Sequence, residues 1–266
     1  MNNPQPATDT LPIWIQQIRL YLPAVPDAFA RLLLLIVVAF FLKTFLLQPY
    51  LIPSESMEHT LLVGDFVLVN KQVYAPSGRI TRTFLPFRQV ARGDVIIFHP
   101  PNDLNKLYVK RVVGIAGDRL HINFGRVTVN GTPVDEPFAT FEPATRNPYR
   151  DEFPATAYTD PNIEPAWWAR MQNLIRNGEL VVPQGEYFVL GDNRNYSKDS
   201  RYWGFVGRQQ IVARPLVIYF SLSRPSTTDV QPPVVQAADD KLEHGKELSA
   251  MLEGFARWKR IFHVVR

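Results

Sequence analysis

The chain has 266 residues, no cysteine and a formal net charge of +4. That length can hold a sizeable core, as one large domain or a domain with an appended lobe. Without cysteine there is neither a disulfide framework nor thiolate chemistry, which fits an oxidising compartment. The 29 basic residues are scattered rather than clustered, which suits a surface beside an anionic membrane better than one that binds nucleic acid.

Residues 1–27 are polar, are broken by Pro12, Pro23 and Pro26, and include an amphipathic piece, IWIQQIRLYL, suited to a membrane surface. The only strongly apolar run follows. Leu32 to Leu42 is uninterrupted, and 28–47 makes 20 residues with Arg31 and Lys43 near the two ends. About 20 such residues span a hydrocarbon core, and long basic side chains near the ends reach the interfaces. A cleavable signal peptide would need a small-x-small site just after the run, and LLQPYLIPS has no good one. A buried core helix is the other alternative. The reading is an uncleaved anchor over 28–48, with 1–27 cytoplasmic and 49–266 an extracytoplasmic catalytic domain; Arg19 and Arg31 favour that orientation and Lys43 opposes it.

The remainder reads as mainly β. DFVLVNKQVY, DVIIFH, LYVKRVVGI, RLHINFGRVTVNGTPV, EYFVLGD and RPLVIYFSLS are short β-branched and aromatic runs bounded by Gly, Pro, Asn and Asp. Asn130-Gly131 is the signature of a two-residue hairpin turn. From Pro133 to Pro165 there are seven prolines, which predict an irregular inserted lobe over about 133–180. One helix is expected to close it, from Pro165 to a stop at Gly178, with Trp167, Met171, Leu174 and Ile175 on one face. A Pro-rich connector then leads to an amphipathic tail with Leu248, Met251, Leu252 and Phe255 on one stripe.

Just after the apolar run stands PSESMEHTLLVGD, with Ser54 and Ser56 two residues apart. A serine hydroxyl attacks only when a base removes its proton. His59 stands three residues from Ser56 and is expected to point elsewhere from a turn, and none of His99, His121, His244 and His263 has the neighbouring acid of a triad. Lys110 lies in an apolar strand between Val109 and Val112. Burial would lower its pKa and make it a competent base, whereas on an alternating strand it would simply face solvent.

Four ordered blocks, PSESMEHTLLVGD, RGDVIIF, KRVVGIAGD and GDNRNYSKDSRYWGFV, together resemble type I bacterial signal peptidase, over about 45–219, with a weaker echo at RWKRIF. The resemblance implies a membrane-anchored serine endopeptidase that removes signal peptides from exported preproteins, with Ser56 as nucleophile and Lys110 as general base. It further implies that Ser54 completes the oxyanion hole with the Ser56 N–H, that Ser197 orients the lysine, and that Asp199 and Arg201 brace the site. Asp192, Asn193 and Arg194 would shape the same loop. By the same analogy Tyr50, Ile52, Met57, Leu61, Ile97 and Val109 line shallow pockets for small residues at P1 and P3; the alternative is that each is ordinary core. No cofactor and no metal are implied. The partners would be signal peptides, the lipid bilayer and, indirectly, the export machinery. A self-cleaving repressor would need a DNA-binding helix-turn-helix where this chain has an apolar run, and a non-catalytic envelope protein on the same scaffold would not need Ser56, Lys110 and Ser197. The sequence departs from the family pattern at His59, where proline is usual, at Asn195-Tyr196, where Asp-Asn is usual, and at Gly207, where proline is common.

Overall fold

In a computed structural model the described residues are 27–41, 47–71, 88–155, 157–223 and 256–265. The chain divides into two units, Met1–Thr44 and Phe45–Arg266. In the first, the described residues form the helix Asp27–Phe41, whose side chains from Phe29 to Val38 are exposed. Fifteen residues at about 1.5 Å each reach about 22 Å, short of a hydrocarbon core of about 30 Å. Among the described residues no helix is long and apolar enough to cross a membrane. The expected span runs past this helix into 42–46, which lies outside the described residues, as do the amphipathic piece at 13–22 and the tail stripe at 248–255.

The second unit is β-rich. Its strands are β1 (Leu47–Leu51), β2 (Asp65–Asn70), β3 (Val95–Phe98), β4 (Tyr108–Gly114), β5 (Arg119–Asn123), β6 (Arg126–Val129), β7 (Thr132–Pro133), β8 (Glu152–Phe153), β9 (Ile175–Arg176), β10 (Glu179–Val181), β11 (Glu186–Leu190), β12 (Val206–Gly207), β13 (Ile211–Ser221) and β14 (His263–Val264). One sheet runs β1-β2-β13-β3-β4-β11-β12, with β14 also on β13; the second runs β7-β6-β5-β10-β9, with β8 on β5. Each of the six apolar runs contributes at least one strand. The turn at Asn130-Gly131 joins β6 to β7 with φ of 52° and 78°, the paired positive values that a two-residue turn between right-twisted strands requires.

The helix of the inserted lobe differs from the sequence expectation. It begins at Pro165 and buries Trp167 and Met171, but it ends at Gln172. The next backbone groups find partners in a sheet instead: Val181 N–H donates to the Leu174 carbonyl at 3.0 Å, and Ile175 pairs with Leu180 across β9 and β10. Gly178 therefore serves a hairpin, with Asn177 at φ 53° and Gly178 at φ 79°. The pattern Trp167, Met171, Leu174, Ile175 fits a helical face, but cross-strand pairing claimed its second half.

Two apolar clusters fill the unit. The larger joins Ile96, Val112 and Phe188 to Leu120, Ile122, Phe153, Trp167 and Met171 of the second sheet and lobe. The smaller holds Ile52, Met57, Leu61, Val67, Val95, Ile97 and Val109. Strand β4 lies between β3 and β11 and is buried along almost its whole length. Both faces of β4 are largely covered, and that burial decides what Lys110 can be.

Candidate active site

The nucleophile candidate stands on a single 3-10 turn. Ser54 precedes the turn Glu55–Met57, and the Leu61 and Thr60 N–H groups close back on the Met57 carbonyl at 2.8 and 3.1 Å. Met57 is buried in the smaller cluster, so packing holds the turn from below and leaves Ser56 facing β4. There the Lys110 Nζ donates to the Ser56 Oγ at 2.5 Å. Ser54 Oγ lies 3.4 Å from Ser56 Oγ. Lys110 is 4% exposed, and burial brings its amine from the usual 10.5 down to about 8. The Asp199 and Asp192 carboxylates pull the other way and keep the shift from going further, while Arg201 adds to it.

The loop after β11 backs this pair. Asp192 accepts two bonds from Arg111, Nε to Oδ1 at 2.8 Å and Nη2 to Oδ2 at 2.7 Å, and a third from the Thr60 hydroxyl at 2.6 Å. The Asn193 N–H donates to the Ser56 carbonyl at 3.2 Å, so the loop grips the backbone of Ser56 itself. Asp199 and Arg201 form a fork-to-fork pair at 2.8 and 2.8 Å, fully buried, and Asp199 also accepts from the Gly191 N–H at 3.1 Å. Burial alone would raise the Asp199 carboxyl, but the Arg201 guanidinium overrides it and holds Asp199 below its ordinary value. Gly191 has to be glycine: a Cβ there would lie 2.3 Å from Ser197 Oγ and 2.4 Å from the Ser56 carbonyl oxygen.

Asn193 Oδ1 is buried in this loop without a partner in hydrogen-bond geometry. The Ser197 hydroxyl is buried beside Asp199 and helps to hold that carboxyl down.

A cleft of about 500 Å³ opens over the pair. Tyr50, Ile52, Met57 and Val109 line it together with Ser54, Ser56 and Lys110. Leu61 and Ile97 do not line it; they are buried in the apolar cluster behind. Six further lining residues escaped the sequence reading: Pro53, Glu55, Leu107, Tyr108, Tyr196 and Lys198. Leu107 and Tyr108 carried a usable signal, since they open the same apolar run as Lys110. Tyr196 and Lys198 enter from a loop more than 80 positions away in sequence, which no local pattern reports.

His59, the departure from the usual proline, has φ 82°. Proline is confined to about −65°, so this backbone could not accommodate it.

The C-terminal segment braces the same turn from the far side. Arg260 Nη2 donates to the Thr60 carbonyl at 3.0 Å and to Asp65 Oδ2 at 2.6 Å, and Ser221 Oγ donates to Asp65 Oδ1 at 2.6 Å. RWKRIF thus supplies structural contacts that its sequence alone did not disclose.

A serine hydroxyl on a packed turn, touching a desolvated amine at the floor of an apolar cleft on a β scaffold, has the parts of an acyl-transfer hydrolase. Residues 26–220 match the family described as signal peptidase, peptidase S26, and the chain belongs to that family. Signal peptidase I of Pseudomonas fluorescens is 36% identical over 199 residues, covering 69% of this chain and 68% of that protein. Signal peptidase I of Pseudomonas aeruginosa is 34% identical over 211 residues, with 71% and 70% covered. For signal peptidase I of Aquifex aeolicus the figures are 32% over 232 residues, 74% and 85%. The protein is a serine protease of the signal peptidase I type.

Proposed function

We propose that the protein is a membrane-anchored endopeptidase that removes N-terminal signal peptides from exported preproteins, cleaving after small residues at P1 and P3. In this reading the anchor occupies 28–48, residues 1–27 are cytoplasmic, and the catalytic domain from 49 onward faces outward from the inner membrane. The likeness to signal peptidase I proteins supports the substrate class; the apolar run with Arg31 and Lys43 near its ends supports the anchor. The observation that carries the mechanism is the 2.5 Å contact between Lys110 Nζ and Ser56 Oγ, with burial lowering the amine to about 8.

When Lys110 is neutral the contact runs the other way, and the hydroxyl donates to the amine lone pair. Ser56 Oγ attacks the scissile carbonyl as its proton passes to Nζ. The negative charge forming on the carbonyl oxygen meets the Ser56 N–H and the Ser54 hydroxyl. Collapse expels the amine of the mature protein, which takes the proton from Lys110, and leaves an acyl-enzyme on Ser56. Water, deprotonated by Lys110, then releases the signal peptide. Ser197, buried in the same loop, orients the amine, and the Asp199–Arg201 pair braces that loop. Tyr50, Ile52, Met57 and Val109 leave an apolar cleft for alanine-sized side chains, with Leu61 and Ile97 supporting its floor.

The test is cleavage of a preprotein in detergent. Ser56→Ala abolishes processing, and Ser54→Ala lowers kcat by about 10²–10³ with KM unchanged, the loss typical of one oxyanion donor. Turnover by Ser56→Ala at the wild-type rate would refute the nucleophile assignment. A raised KM with intact kcat in Ser54→Ala would make Ser54 a substrate contact instead.

A further inference from the structure

The inserted lobe sends the segment 136–140 back to the catalytic loop. Glu136, Phe138 and Thr140 are set around a turn in which the Ala139 N–H donates to the Glu136 carbonyl at 3.0 Å. Each meets a different part of the machinery. Glu136 receives both Arg194 Nη1 and Nη2, at 2.8 and 2.6 Å, in a pair whose side chains are 7% and 1% exposed. The Arg111 guanidinium lies over the Phe138 ring, 3.7 Å from ring centre to Cζ. Thr140 bridges to Asn193 by backbone pairing: its N–H donates to the Asp192 carbonyl at 2.8 Å and its carbonyl accepts from the Arg194 N–H at 3.0 Å.

These three contacts converge on 192–194, the stretch whose Asn193 N–H holds the Ser56 carbonyl and whose Asp192 carboxylate holds Thr60 and Arg111. Arg194 also donates through Nε to the Gly191 carbonyl at 3.1 Å. That fixes the glycine against which Ser197 Oγ and the Ser56 carbonyl pack. None of Glu136, Phe138 and Thr140 lines the cleft. Their reach to the reaction is indirect, through the loop.

We propose that Glu136, Phe138 and Thr140 are positioning residues for the peptidase: a clasp from the inserted lobe that sets the 191–194 loop and, through Asn193, the height of Ser56 against Lys110. The proposal rests on Ser56 being the nucleophile and adds that the lobe is a working part of the active site. An ion pair between two nearly buried groups resists small displacements because moving apart leaves both charges desolvated. The Phe138 ring does the same for Arg111 by a cation–π contact. A shift of about 1 Å at a reacting atom can cost about 10² in rate, so a loosened clasp registers in kcat before it registers in folding.

The experiment measures kcat and KM on a signal-peptide substrate for Glu136→Gln, Glu136→Asp and Phe138→Leu, well below each variant's melting temperature and corrected for the folded fraction. Glu136→Gln and Phe138→Leu should lower kcat about tenfold or more with KM within about twofold of wild type. Glu136→Asp, which keeps the charge, should recover part of the loss. A merely structural lobe would lower melting temperature while leaving kcat per folded molecule at the wild-type value, and that result overturns the proposal. So does a loss carried by KM. Should Glu136→Gln not fold, Phe138→Leu decides alone, because it removes no charged member of an ion pair. Ser56→Ala run alongside separates the two ideas: if it is inactive while all clasp variants keep wild-type kcat, the clasp fails and the nucleophile stands.

Discussion

Lys110 and Arg111 are neighbours on one strand, both cationic in water and both buried, at 4% and 2% exposure. Their fates differ because their partners differ. Arg111 has a carboxylate of its own, Asp192, in bidentate contact, and the Phe138 ring against its guanidinium. Lys110 has a hydroxyl, Ser56, and only the more distant fields of Asp199 and Asp192. Arg111, matched by its carboxylate, is a scaffold member. An unmatched amine in the same dry setting is pushed toward its neutral form. The difference teaches how one strand can supply a rigid support and an amine of lowered pKa in consecutive residues: successive side chains leave opposite faces, and each face is chemically distinct.

Exchanging the character of the two cations breaks the comparison most severely at Lys110. Lys110→Met and Lys110→Arg should both abolish processing, the first by removing the base and the second because a guanidinium stays charged. Stability should move the other way. The folded-state value near 8 lies below the ordinary 10.5, so the unfolded chain binds more protons. The resulting destabilisation is fully present below about 8 and fades as pH climbs through about 10.5. Removing the amine should therefore raise stability at pH 7, on the order of 3 kcal/mol for a shift of that size. In the wild type, kcat/KM should climb along an alkaline limb centred near 8. Ser197→Ala should lower that limb with little displacement of its midpoint. A limb near 6.5 that survives in Lys110→Met would return the base to a histidine.

Arg111→Ala should act through folding. It strands the Asp192 carboxylate in a buried site, a loss of roughly 3–5 kcal/mol. Denaturant unfolding monitored beside wild type gives the number. A cost below about 1 kcal/mol would show that Asp192 finds other partners, and the contrast with Lys110 would weaken.

The smallest expected effect concerns the turn carrying Thr60, which shares Asp192 with Arg111. His59→Pro should cost more than about 1 kcal/mol because φ 82° lies outside proline's range, while His59→Gly should be near neutral. Thermal unfolding of the two variants sharpens the picture of that turn. A stabilising His59→Pro would mean that the backbone there readily takes another path.

The sequence by itself determined the features that depend on neighbouring residues. The β-branched runs became strands because alternation and turn punctuation are local. Asn130-Gly131 became a hairpin because both residues tolerate positive φ. Four ordered motif blocks were enough to place the chain in its family. Tertiary structure decided whatever depends on which strands become neighbours. Whether Lys110 met solvent or Ser56 turned on both faces of β4 being covered, which its alternation could not say. The lobe helix stopped at Gln172 because β10 competed for the next backbone groups. Leu61 and Ile97 share the apolar character of Ile52 and Val109, yet only packing sorted cleft from core. The clasp of Glu136 on Arg194 spans 58 positions and the brace of Arg260 on Asp65 spans 195, and a charge read along a chain names no partner at such distances. Local propensity acts over a few residues. Burial and ion pairing act through space, and only the folded chain brings those groups together.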